Sequence, residues 1–130
     1  FSDCENLIKV EIPTNSNLQT IESNAFSRSN IEKIFIPQEV VLICKDAFSD
    51  CQKLQYVEIP ENSKLQIIGK RAFEYTSIRS IFITSEFVII DKNAFSNCSY
   101  LQIIEINVKL VNLSTRSIYN DNFILMISSE

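Results

Sequence analysis

Three apolar positions, spaced apolar-x-x-apolar-x-apolar, recur five times: Leu7, Val10 and Ile12; Ile31, Ile34 and Ile36; Leu54, Val57 and Ile59; Ile78, Ile81 and Ile83; Leu101, Ile104 and Ile106. The last two of each set alternate with other residues, the period of a strand buried on one face. Each unit is therefore predicted to hold a short strand whose apolar pair faces inward, and stacking the units makes a parallel sheet. Pro13, Pro37 and Pro60 follow directly; proline has no N–H for a ladder and should mark the strand's end. A second apolar pair in each unit, Leu18 and Ile21, Val40 and Ile43, Leu65 and Ile68, Phe87 and Ile90, Leu110 and Leu113, predicts a second short strand or extended turn on the opposite side. Polar residues then lead into Ala25-Phe26, Ala47-Phe48, Ala72-Phe73 and Ala94-Phe95, in segments that favour a helical turn. Rungs of a sheet lie about 4.7–4.9 Å apart, so the rings should stack into a spine, with a small residue before each ring.

These elements belong to a repeat. Residues 1–25 (FSDCENLIKVEIPTNSNLQTIESNA) match 48–72 (FSDCQKLQYVEIPENSKLQIIGKRA) almost position for position, and the shorter units 26–47 and 73–94 share their frame. A fixed period of about 20–30 residues marks a solenoid before it marks any activity. The unit from Phe95 degenerates: Ser117-Ile118 stands where Ala-Phe is expected, and Phe123, Met126 and Ser128 take the strand frame, giving a partial sixth strand. Residues 1–130 are read as a single domain, and the opening in mid-pattern at Phe1 suggests a piece of a longer array.

Composition narrows the function. A chain of 130 residues, 45% hydrophobic and 22% charged, is in the range of one soluble globular domain. Twelve basic against 16 acidic residues give −4, which removes the attraction that most nucleic-acid binding relies on. Apolar runs such as 87–90 and 123–127 fall well below the ~18 residues of a membrane helix, and no basic, apolar leader opens the chain. Histidine and tryptophan are absent and Gly69 is the one glycine, so no His-dependent triad, His-ligated metal site or glycine-rich phosphate loop can be built. No catalytic residue, metal site or cofactor is predicted, and the chain is read as a non-enzyme.

Cys4, Cys51 and Cys98 hold one position in alternate units, with Ser29 and Thr76 between them. Two rungs separate these cysteines by roughly 9–10 Å, beyond the ~7 Å reach of a disulfide; they are read, with Cys44, as buried structural thiols. Asn97-Cys98-Ser99 and Asn112-Leu113-Ser114 are candidate glycosylation sites at Asn97 and Asn112. The outward positions of the main strands form two columns, Glu11, Phe35, Glu58, Phe82, Glu105 and Lys9, Lys33, Tyr56, Ser80, Ile103. They form a candidate partner-binding face, because exposed aromatics on a rigid surface supply contact area with little entropy to lose; duplication of a two-unit block would leave the same alternation. On the second face Leu42, Ile67 and Ile89 share a column, as core or as an apolar patch.

The run from Phe48-x-x-Cys51-x-x-Leu54 through Ile59-Pro60 and Ile68-Gly69 to Ala72-Phe73 resembles the BspA-like leucine-rich repeats of bacterial and protozoan surface proteins. The resemblance covers residues 1 to about 113. The glycine of the family's Ile-Gly step survives only as Gly69, being Glu22, Cys44 and Asp91 elsewhere, so those turns are expected to manage without a residue suited to positive φ. The resemblance implies a leucine-rich-repeat solenoid of the α/β type: short parallel strands with helical turns, five repeats and a partial sixth. It also implies a non-enzymatic adhesion module at the cell surface or secreted, binding proteins of host cells, matrix or other microbes. An intracellular, cytoplasmic scaffold on the same repeat and a spacer without its own ligand are the alternatives, the four unpaired thiols favouring the first of them.

Overall fold

The strands form where the apolar pattern places them. The computed structural model describes residues 1–91, 93–113 and 124–128, with 86, 87, 108–113 and 124–128 described by their backbone. Eight strands follow in order: β1 Thr20–Ile21, β2 Lys33–Phe35, β3 Leu42–Ile43, β4 Tyr56–Glu58, β5 Ile67–Ile68, β6 Ser80–Ile90, β7 Ile103–Leu113 and β8 Ile124–Ser128. All pairings are parallel, in a sheet ordered β1-β3-β5-β6-β7-β8 and a two-stranded sheet β2-β4. Register follows the repeat: Ile34 lies opposite Val57, Ile43 opposite Ile68, Ile81 opposite Ile104. The chain is a parallel β-solenoid, as the repeat implies.

The core follows the prediction except that Leu7, Val10, Ile12 and Ile59 are only partly buried and Leu18 is exposed. Ile31, Ile34, Ile36, Leu54, Val57, Ile78, Ile81, Ile83, Leu101, Ile104 and Ile106 are buried, with Ile21, Ile43, Ile68 and Ile90 from the second side. Each aliphatic side chain so buried contributes about 1.5–3 kcal/mol. The phenylalanine spine runs along the third side, with ring centroids 5.8, 5.2, 5.1 and 5.4 Å apart from Phe1 through Phe26, Phe48 and Phe73 to Phe95. Interplanar angles of 1–10° make these parallel stacks at a separation aromatic pairs favour. Ala47, Ala72 and Ala94 are buried beside them.

Strand length depends on proline. Where Pro37 and Pro60 follow the first strand, β2 and β4 stop at three residues and the second strand starts afresh. Thr84 and Asn107 occupy the proline position in the later units, pair with each other, and let β6 and β7 run through both sides as single strands of 11 residues. The two separate strands expected there are one. The first unit forms no strand over residues 7–12, where the backbone bond to the next unit is Glu32 N–H to Ile8 O at 3.3 Å. The partial sixth strand exists as β8, but Leu125 and Ile127 lie opposite Ile104 and Ile106. The expected frame of Phe123, Met126 and Ser128 is thus off by one, because a continuous apolar run carries no alternation to fix register. Ser117-Ile118 lies outside the described residues.

The expected helical turns are absent: among the described residues there is no helix. From Asn24 to Ser29, alternate N–H groups bond within the turn and to the next unit. Ala25, Ser27 and Ser29 donate to Glu22, Asn24 and Phe26, while Asn24, Phe26 and Arg28 donate to Lys45, Ala47 and Ser49. A helix would use every N–H within itself. Left-handed residues turn the alternate peptides outward: Asn24, Asp46, Arg71 and Asn93 before each Ala, and Asp3, Arg28, Asp50, Tyr75 and Asn97 two places after each Phe, all at φ of 56–60°. Asn and Asp fill six of these nine positions, the residues that tolerate this region best after glycine. Gly69 itself has no positive φ, which corrects the role expected for it. A Cβ there would lie 2.8 Å from the backbone of Cys44 and Lys45, so the glycine serves close approach of two rungs.

Acid–arginine pairs tie neighbouring turns. Arg71 donates two hydrogen bonds to Asp46, 2.8 and 2.9 Å, and Arg28 makes the same bidentate pair with Asp3. The Arg71 hydrogen bonds hold the Asp46 carboxyl below the usual carboxylate range despite its burial.

Candidate partner-binding face

Strand parity decides this face. With Ile34, Val57 and Ile81 buried, their neighbours point outward: Lys9, Glu11, Lys33, Tyr56, Glu58 and Phe82 are exposed, and Phe35, Ser80, Ile103 and Glu105 half-buried. Tyr56 is 64% and Phe82 54% exposed. Tyr56 pairs with Lys33 and Phe35 with Glu58 across β2–β4, while Ser80 pairs with Ile103 and Phe82 with Glu105 across β6–β7. β4 and β6 lie side by side without a ladder, so the face comes in two hydrogen-bonded pieces. Lys9 forms an ion pair with Glu11 and holds that carboxyl below its ordinary value, with a smaller contribution from Lys33. The carboxylates at 11, 58 and 105 stand on alternate units with Phe35 and Phe82 on the units between them and no histidine in the chain, an arrangement unsuited to paired acid–base work.

The thiol column is structural where it is covered: Cys4, in the first unit, and Cys44 are half-buried, which corrects the burial expected of all four cysteines. Cys51 and Cys98 are buried, and each donates to the carbonyl of the phenylalanine one unit earlier, Cys51 to Phe26 at 3.0 Å and Cys98 to Phe73 at 3.1 Å. Thr76 donates to Phe73 O as well, at 2.9 Å, which explains why Cys, Ser and Thr interchange here. Burial raises both thiol pKa values, and Cys44 is raised by burial with help from Glu22. Among the described residues no group of His, Cys, Asp and Glu could hold a metal ion, and no helix is long and apolar enough to cross a membrane.

Asn97 is exposed in a left-handed turn, its Nδ2 3.4 Å from Glu74 Oε1. The backbone of Asn112 pairs with Ile89 in β6, and its side chain is outside the described residues. Leu42, Ile67 and Ile89 stand in register and half-buried, a partly exposed apolar stripe.

One feature beside the face has no counterpart in the columns. A notch of about 190 Å³ is lined by Gln55, Ser77, Arg79 and Tyr100, with Gln55 and Arg79 immediately preceding Tyr56 and Ser80 in the chain. The signal lay one column further out, where Asn6, Asn30, Lys53, Ser77 and Tyr100 align and the smallest side chain stands next to the largest.

Comparison with known proteins agrees with this architecture. The repeat profile described as BspA type Leucine rich repeat region matches residues 1–102 in six copies. No curated protein matches the chain. Among solved structures it is similar to a leucine-rich repeat protein from Bacteroides ovatus, at 20% identity and a TM-score of 0.43, over 97% of this chain and 52% of that one. The chain spans about half the length of that protein.

Proposed function

The chain belongs to the BspA-type leucine-rich repeat family, and from that premise we propose that it is a non-enzymatic binding module that docks a protein partner on the outward face of β2, β4, β6 and β7. The observation that carries this reading is the exposure of Tyr56 and Phe82 on hydrogen-bonded strands. Two large rings left in water, one on each of two neighbouring ladders, are poised to gain from burial, and aromatic side chains are the commonest energetic anchors of interfaces. Glu58 and Lys33 around them supply the polar rim that such anchors keep. The family's association with surfaces makes a matrix, host-cell or microbial surface protein the partner class, with the protein displayed at the cell surface or secreted.

The test pairs stability with binding. Tyr56→Ser/Phe82→Ser should melt within about 0.5 kcal/mol of the wild type, as exposed positions do. Against a panel of purified matrix and microbial surface proteins, it should lose most of the affinity the wild type shows, at about 2 kcal/mol or more per anchor. A folded double variant that binds as the wild type does would remove this face from the interaction, and a wild type that binds nothing in the panel would favour the spacer role.

A further inference from the structure

The notch at Gln55, Ser77, Arg79 and Tyr100 differs from the rest of the surface in the state of its arginine. Three arginines fall among the described residues, and two are committed: Arg28 to Asp3 and Arg71 to Asp46, both bidentate. Arg79 is exposed and makes no ion pair among the described residues. Among the described residues no Asp or Glu lines the notch. What lines it besides Arg79 is the Gln55 amide, the Tyr100 hydroxyl and ring, and Ser77, whose hydroxyl is already given to Gln52 O. In a chain with a net charge of −4, a cavity whose described lining holds a guanidinium outside any ion pair and no acid is an unusual local environment.

Resting on the reading of the neighbouring face as a docking surface, we infer that this notch receives a carboxylate side chain of the protein partner, held by Arg79 in a bidentate pair with Gln55 and Tyr100 as further donors. A guanidinium presents its N–H groups in a fork that fits a carboxylate, and such charge-assisted bonds are stronger than neutral ones. Size selects the same class: at about 190 Å³ the notch is smaller than the roughly 300–1,000 Å³ typical of small-molecule sites, and suits one protruding side chain. Position does too, since the chain runs straight from Gln55 to the exposed ring of Tyr56. A partner segment with an acidic residue beside an apolar one reaches both at once. Arg79 sets which partner is accepted, and the rings supply the contact area.

The probe is a displayed library of random dodecapeptides selected on the wild-type chain, with enriched peptides titrated against wild type, Arg79→Gln and Tyr56→Ser/Phe82→Ser. Melting curves would establish that the variants fold. The expected result is enrichment of Asp and Glu among the binders, and a loss of about tenfold in affinity on Arg79→Gln. Changing the peptide's acid to its amide should cost the wild type as much and Arg79→Gln almost nothing, and wild-type affinity should fall as salt is raised. Neutral or basic binders, or acidic ones indifferent to Arg79→Gln, would overturn the notch while leaving the face in place if the aromatic double variant still abolishes binding. Binders sensitive to Arg79 and indifferent to Tyr56 and Phe82 would keep the notch and overturn the face. A library that yields no binder counts against both.

Discussion

Phe48 has a ring on either side and no contact with water, whereas Phe1 ends the stack and is 73% exposed. Phe48→Ala should cost about 3–5 kcal/mol in a urea melt through the cavity it opens, and Phe1→Ala far less; similar losses at both would mean the rings are not a buried column. Gly69→Ala should also destabilise, by about 1–3 kcal/mol, since the added methyl meets backbone rather than a movable side chain. Thiol labelling should separate the cysteines by burial, with Cys4 and Cys44 reacting in the native protein and Cys51 and Cys98 only once denaturant is added. At this scale the sequence was legible wherever a residue repeats with its unit: the spine, the inward aliphatics and the small polar position filled by Cys, Ser or Thr. Gly69 was misread because a glycine unique in its column gives no hint whether it is needed for φ or for space. Arg79 went unread because an unpaired arginine looks like a paired one until its neighbours are known.

Strand phase was readable at the level of elements, since alternation is a local property, but strand length and turn type were not. Pro37 and Pro60 did mark where the short strands stop, whereas the run of an 11-residue strand through Thr84 needed Asn107 opposite it as a ladder partner. The turns departed from a helix because half their N–H groups have acceptors in the adjacent unit, a partner invisible within any one segment. These turns hold the Asp46–Arg71 pair, whose effect has a definite sign with pH. The Asp46 carboxyl is held below its unfolded value, so its contribution is present above the unfolded pKa and lost as pH falls through the folded one. Asp46→Asn should therefore lower stability by about 1 kcal/mol at neutral pH, and the difference should shrink towards zero in melts at progressively lower pH. A penalty that stays constant with pH would assign the loss to packing.

Each unit of the molecule contacts only its neighbours, so stability accumulates rung by rung and the surface repeats with the units. That periodicity makes departures from it informative: two exposed rings on one face and, beside them, an arginine that forms no ion pair among the described residues. It also supplies an internal control, because Tyr75, 49% exposed, sits in a turn on the spine side rather than on the strands. The most direct measurement is hydroxyl-radical footprinting of the free chain and of the chain bound to whichever panel protein it retains. In the free chain Tyr56, Phe82 and Tyr75 should oxidise readily and Phe48 and Phe73 slowly; on binding, Tyr56 and Phe82 should become protected and Tyr75 should not. Protection of Tyr75 with Tyr56 and Phe82 unchanged would place the partner on the turns and contradict the proposed face.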